Sequence, residues 1–394
     1  MKIELKNFGP IDHFEFDLDK DLHVIYGENN IGKSSIINAI YILTSSWKNI
    51  MALSNIEDEY LREKSESNIK DELSQNFRIT VKELSNKYSN EPYPIIKIIS
   101  EEVESYFGVS INFMENKHDF DIENHLYGGM KITKDAKSEL SKVNQIFDFI
   151  YFFPASRSGM YRVMSSMGEI LAKFSQYRNQ LNINNLSIPS LTFPESEYFL
   201  NLSSINNNNR KSEYSRVVTK IEQELIGGEI YFDDSVKKLK YKSFDTGLDL
   251  ELHETSSMIA EIAPIVAHLK YILPNSKSIL FIEEPEAHLH PKIQVEMMRI
   301  YADLVNAGVK VVMTTHSDFM MNELTNLILE RKLKPEKVAS YHLVMGKNGS
   351  YDAGDMKATD EGIEDYNFTE TIRKQYERRI ELLEKLNEEN AVVE

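Results

Sequence analysis

The sequence predicts an α/β fold: a mixed-sheet core with N-terminal antiparallel strands and an inserted helical lobe. Three observations lead there. Short apolar runs at 22–26, 146–153 and 278–282 have the near-continuous pattern of strands buried on both faces. In the last third of the chain such runs alternate with helical periodicity, the order that builds a parallel sheet. Two long polar stretches, rich in Glu, Lys, Asn and Ser, separate the runs and read as insertions.

The elements follow in order. Residues 2–6 and 14–18 alternate apolar and polar around a Phe8-Gly9-Pro10 turn, a strand–turn–strand pattern. The run at 22–26 is a buried strand, and a glycine-rich turn leads from it to helical periodicity at 34–44. Residues 48–108 are polar and mostly helical in pattern, and 109–113 reads as a strand. The strand at 146–153 runs into Pro154-Ala155-Ser156-Arg157-Ser158-Gly159. A second polar, helix-rich insertion spans 165–226 and carries an exposed or disordered loop at 206–211. A three-strand meander is expected over 229–232, 237–242 and 248–253, then a helix over 258–273. After the strand at 278–282, Pro291 starts a helix with the stripe Ile293, Met297, Ile300, Leu304; Gly308 ends it, and 309–313 is the next strand. Residues 371–387 form an amphipathic helix with Ile372, Tyr376, Ile380, Leu383 and Leu386 on one side. The expected division is a core of 1–50 and 228–345 with strands from 109–160, helical insertions at 51–108 and 161–227, and a helical tail at 346–394.

Composition removes several function classes. The 394 residues include no cysteine, which excludes a disulfide scaffold, a thiol nucleophile, a Cys-ligated zinc and an iron–sulfur cluster. The formal charge of −17 argues against a surface that binds nucleic acid or anionic lipid all over, leaving a local basic patch open. No apolar run reaches the length of a membrane span, and the N-terminus lacks a signal-peptide pattern. The expectation is a cytoplasmic protein with no membrane partner.

The chemistry lies in the turns that follow the strands. Gly27-Glu28-Asn29-Asn30-Ile31-Gly32-Lys33-Ser34 matches the P-loop pattern G-x-x-x-x-G-K-[ST]. Its glycines let the backbone wrap a phosphate, and the helix that follows adds its N-terminal dipole. Gly27, Asn29, Asn30, Gly32, Lys33, Ser34 and Ser35 are the candidate nucleotide contacts, with Lys33 for the β- and γ-phosphates and the Ser34 hydroxyl for Mg²⁺. The strand at 279–282 delivers two carboxylates to the sheet edge where open parallel sheets keep their active sites. Glu283 is the candidate Mg²⁺ ligand and Glu284 the group that polarises an attacking water. His316, at the end of the next strand, is the candidate donor to the γ-phosphate.

With these motifs in place, the chain resembles the ABC-type ATPase head shared by SMC-like repair ATPases and OLD-family ATPases. It is most similar to compact prokaryotic ATP-binding proteins that accompany phage-defence effectors. The resemblance is carried by Lys6-Asn7-Phe8-Gly9-Pro10-Ile11, the P-loop, Pro154 to Gly159, Thr255-Ser256-Ser257, Glu283 to Pro291, and Thr314-Thr315-His316-Ser317. It implies a P-loop NTPase of ABC-ATPase type that binds and hydrolyses ATP with Mg²⁺. It further implies a head-to-tail homodimer closed around ATP, or an assembly of such dimers, with Ser257 of the signature position acting in trans. A separately encoded effector, such as a nuclease, is the implied partner. Met258 stands where classical signatures have glycine, and the tail lacks the acidic metal site of the OLD nuclease domain. Glu286 to His290 falls at the family's subunit-crossing loop; its His-x-His is a turn or a metal pair. Arg157 is a phosphate or partner contact or an ordinary surface arginine. The lysines of 237–242 are a solvated edge or a contact to nucleic acid or effector. Two rival readings stand beside effector gating: an SMC-like ATPase acting on DNA itself, and a nucleotide-binding scaffold with little turnover.

Overall fold

A computed structural model describes residues 2–45, 95–99, 107–113, 120–126, 146–163, 191–206, 212–274, 276–363 and 374–383. In chain order the strands and helices begin with β1 (Lys2–Phe8), β2 (Ile11–Asp17), β3 (Leu22–Gly27) and α1 (Lys33–Ser45). There follow β4 (Ile95–Ile99), β5 (Phe107–Phe113), β6 (Phe120–Leu126) and β7 (Phe149–Phe153). Next come α2 (Phe193–Ser203), α3 (Ser215–Lys220), β8 (Gly228–Asp233), β9 (Lys238–Ser243), β10 (Asp249–Glu251) and α4 (Ser257–Ala267). The last third contains β11 (Ser278–Glu283), α5 (Pro291–Asn306), β12 (Lys310–Thr315), α6 (Asp318–Leu329), β13 (Val338–Met345) and β14 (Ser350–Asp352). A small hairpin, β15 (Ala358–Thr359) and β16 (Gly362–Ile363), closes this part.

One eleven-stranded sheet dominates, in the order β6-β5-β4-β1-β2-β14-β13-β3-β12-β11-β7. The apolar runs lie in its parallel end: β13, β3, β12, β11 and β7 pair parallel in that order. Alternation sends neighbouring side chains to opposite faces. Leu280 and Ile282 of β11, with Val311 and Met313 of β12, join a core that holds α4, α5 and α6. Ile279, Phe281 and Val312 join the other core, under α1. A strand covered on both faces needs apolar residues at every position, which is why these runs do not alternate. The α/β class expected from the sequence, a mixed-sheet core with N-terminal antiparallel strands, is the one found.

Several expectations need correction. Residues 95–99 fall in a stretch read as helical, yet β4 pairs antiparallel with β1, bringing Lys2 opposite Ile99. β6, at 120–126, extends that antiparallel wing and was not anticipated. The region from 346, read as a helical tail, supplies β14, which pairs parallel with β2 and antiparallel with β13. The expected helix over 258–273 is α4 ending at Ala267, continued by a π-helical turn, His268–Ile272. Residues 374–383 are helical, with Tyr376, Leu382 and Leu383 exposed; the loop at 207–211 lies outside the described residues. Among the described residues no helix is long and apolar enough to cross a membrane.

Candidate functional site

The P-loop joins β3 to α1 at the carboxyl edge of the parallel strands. Its shape depends on Gly32, which has φ +104°, and a Cβ there would lie 2.6 Å from Ile11 Cδ1 and 2.7 Å from Pro10 Cγ. The β1–β2 turn is thus packed directly against the loop. Asn30 adopts the left-handed region at φ 61°, a conformation asparagine tolerates better than most residues. Asn29, Asn30 and Ser34 are exposed and Ser35 is half-buried. Lys33 is buried, and its ammonium donates back to the loop, to Gly27 O at 2.8 Å and Glu28 O at 2.7 Å. Burial lowers its pKa, against the opposing pull of Glu284 and Glu286.

The acidic strand end faces this loop. Glu283 sits at the end of β11, with Ser34 near enough to its carboxyl to lower its pKa. Its Oε1 is sealed from solvent without a hydrogen-bond partner. Burial pushes the carboxyl up to about 7, the Glu284 charge adds to the rise, and the nearby Ser34 opposes it. An oxygen left over beside a hydroxyl is the donor set a small divalent cation takes, and Ser34 with Glu283 fits Mg²⁺ in ligand type. Glu284 follows with φ 41°, its backbone N–H donating to Thr314 O at 3.1 Å. The turn out of β11 is therefore tied to β12, and Glu284 and Glu283 leave the edge in different directions.

His316 stands beside them, its Nδ1 4.0 Å from Glu284 Oε1 and 3.2 Å from Glu286 Oε1. The sequence reading missed the importance of Glu286. It is not turned outward to a subunit seam: its residue is 4 % exposed. Oε1 accepts from the Thr315 hydroxyl at 2.8 Å and from the His316 N–H at 2.7 Å. Ser317 then N-caps α6 and donates to Gln294 Oε1 at 2.5 Å, fixing the turn that carries His316 to α5. His290 caps α5, its Nδ1 accepting from Lys292 N, so one half of His-x-His serves a helix start.

Arg157 is not a surface residue. It is fully buried and donates to Glu283 O at 3.0 Å and Glu284 O at 3.5 Å. Its Nε lies 3.4 Å from Glu261 Oε2 on α4. The lysines of β9 do not form an edge: β9 lies between β8 and β10, and Lys238 pairs with Glu251 at 3.0 Å and Lys240 with Asp233 at 2.9 Å. The structure thus brings Lys33, Ser34, Glu283, Glu284 and His316 to one edge. Ser257 is not among them: it is exposed at the first turn of α4, which Ser256 caps. The described groups with metal-ligand geometry reduce to Glu4, His13 and Glu15, and Lys6 and Lys2 already pair with those carboxylates.

A P-loop at the carboxyl edge of a mixed sheet, faced by the carboxylates at the end of β11 and a histidine one strand away, defines a P-loop NTPase. The family follows from the sequence as a whole: the chain belongs to the AAA ATPase domain family, whose model matches residues 1–321. No curated protein matches it. Among solved structures it is similar to the SMC head domain from Thermotoga maritima, with 11% identity, TM-score 0.42, and 89% of this chain and 96% of that one covered. It is also similar to an Smc head bound to the C-terminal domain of ScpA from Pyrococcus furiosus, with 12% identity, TM-score 0.42, and 96% and 98% covered.

Proposed function

We propose that the chain binds ATP with Mg²⁺ at the P-loop and hydrolyses it. The observation that carries this is the meeting, at one sheet edge, of Lys33 buried in the P-loop with Glu283, whose Oε1 is sealed without a hydrogen-bond partner. The amides of the loop and Lys33 would hold the phosphates, and Ser34 with Glu283 would hold the cation. When bound, Mg²⁺ supplies neutralisation of charge between the β- and γ-phosphates. Glu284 is the base that orients water, and His316 presents its ring toward the same edge.

The finer reading is a homodimer, head to tail around ATP, in which the exposed start of α4 with Ser257 completes the partner's site and the cycle gates a separately encoded effector in phage defence. The resemblance supports the dimer and the effector; the exposed Ser257 supports its action in trans. A second reading, an SMC-like ATPase acting on nucleic acid directly, fits the family equally well. Hydrolysis stimulated by DNA, with a steep dependence on salt, would favour it.

The test separates the two carboxylates. Glu284→Gln keeps its shape but cannot take a proton, so ATP binding stays and phosphate release falls about 100-fold or more. Glu283→Gln instead weakens Mg²⁺-dependent binding. Exchanged phenotypes would overturn the order of the pair, and a parent protein that releases no phosphate would overturn hydrolysis itself.

A further inference from the structure

Arg157 and Glu261 form an ion pair sealed in the core, at 0% and 1% exposure. A buried pair of this kind is weak evidence for stability, because both charges lose their water. What the arginine holds is more informative. One guanidinium nitrogen donates to Pro154 O at 3.3 Å and to Glu283 O at 3.0 Å, and the other to Glu284 O at 3.5 Å. Glu284 sits at φ 41°, a left-handed conformation that a residue with a Cβ keeps only when its surroundings impose it. Two contacts impose it: the peptide on its N-terminal side donates to Thr314 O, and its own carbonyl is held by Arg157.

The other end of the pair is equally fixed. Glu261 Oε1 accepts from the Ser158 hydroxyl at 2.5 Å, and Oε2 lies 3.4 Å from Arg157 Nε. Glu261 is four residues, one helical turn, beyond Ser257 on α4. The hydroxyls of Tyr198 and Tyr301 lie close enough to feel the Arg157 charge.

We infer that Arg157 is a positioning residue for Glu284, anchored by Glu261, and that this pair links the exposed start of α4 to the acidic edge of the same subunit. The inference rests on the proposed ATPase reading. A displacement of α4 at Ser257 moves Glu261, Glu261 moves the guanidinium, and the guanidinium resets the backbone from which the Glu284 carboxylate projects. In a head-to-tail dimer, contact at one site would thereby ready the other.

Three variants test it: Glu261→Gln, Arg157→Lys, and Arg157→Met with Glu261→Met. Glutamine keeps the shape and the Ser158 hydrogen bond and removes the charge. Lysine keeps the charge but cannot span both carbonyls and Glu261 together. The double variant removes both charges, so neither is stranded. The readouts are melting temperature, ATP affinity by titration, kcat and KM. The expectation is ATP affinity and KM within about twofold of the parent and kcat down at least about tenfold, a change of about 1.4 kcal/mol in the barrier. A folded variant with parental kcat overturns the inference. So does a loss of ATP affinity in step with kcat, or failure of both Glu261→Gln and the double variant to fold, since either assigns the pair to the core alone. A parent without turnover overturns the ATPase reading instead, which keeps the two failures distinct.

Discussion

Glu286 Oε1 lies 3.2 Å from His316 Nδ1 and also accepts from the His316 N–H and the Thr315 hydroxyl. One sealed carboxylate oxygen thus sets both the backbone and the ring of the histidine. With Nδ1 directed at Glu286, Nε2 is the nitrogen left to face the site. Glu286→Ala strands two donors and lowers stability by roughly 1–3 kcal/mol. Glu286→Gln still accepts from both and folds normally, but a neutral amide orients the imidazole less firmly, and kcat falls about tenfold. Thermal melts and phosphate release on the two variants check both effects.

Lys33 is held by Gly27 O and Glu28 O, and its burial lowers its pKa. Binding phosphate requires it to give up those carbonyls. Lys33→Met removes a buried charge but leaves the Gly27 carbonyl, on a buried residue, without that donor, so the two effects on stability oppose each other. Its melting temperature should stay close to the parent's while ATP affinity drops by about 100-fold or more, an estimate set by the strength of charge-assisted contacts to phosphate. Gly32→Ala does the reverse: a Cβ 2.6 Å from Ile11 at φ +104° destabilises the loop itself. Titration and melting of both variants tell the two losses apart.

The parallel strands were legible because full burial writes itself into consecutive residues, as in Ile279, Leu280, Phe281 and Ile282. The P-loop, the acidic pair and His316 were legible for a related reason: each ends such a run. β4 was not, although Ile95-Ile96-Lys97-Ile98-Ile99 favours a strand, because the polar stretch around it carries a helical pattern and its partner β1 is far away in sequence. β14 has three residues, too few for any period, and exists because β2 and β13 leave room between them. Arg157 and Glu261 are 104 residues apart, and their pairing depends on α4 lying against the segment that follows β7. No local pattern announces such a contact.

Glu283 has a pH signature. Its folded pKa, about 7, lies above its ordinary 4.5. Between those values the folded protein holds a proton that the unfolded chain has released. Stability of the nucleotide-free protein therefore falls, from this group, as pH rises from about 4.5 to about 7, and is level above that. Buried His23 and His268 act oppositely, since burial lowers them to about 3 and about 4, and their contribution grows as pH rises toward 6.5. The difference between the parent and Glu283→Gln isolates the carboxylate. In urea titrations that difference should favour the glutamine variant at pH 8 and shrink toward pH 5. In the parent, Mg²⁺-dependent ATP binding should tighten as pH rises through 7, because the cation competes with the proton on Glu283.

Ser257 provides the test of the dimer. It is exposed at the first turn of α4, a helix start of the kind that suits a phosphate, where Ser256 already caps the Ile259 N–H. Ser257→Arg sets bulk against whatever faces that turn, yet each subunit keeps an intact P-loop. ATP binding should persist while ATP-driven dimerisation and turnover fail. Mixing Ser257→Arg with Lys33→Ala subunits then rebuilds one composite site, the P-loop from the first and the α4 start from the second. If one such site fires alone, turnover returns in part; if both must fire together, dimers form without turnover. Sedimentation with ATP, run beside phosphate release, separates these outcomes. A Ser257→Arg protein that dimerises and hydrolyses ATP at the parental rate would confine the active site to a single subunit, with Lys33, Glu283, Glu284 and His316 sufficient for it.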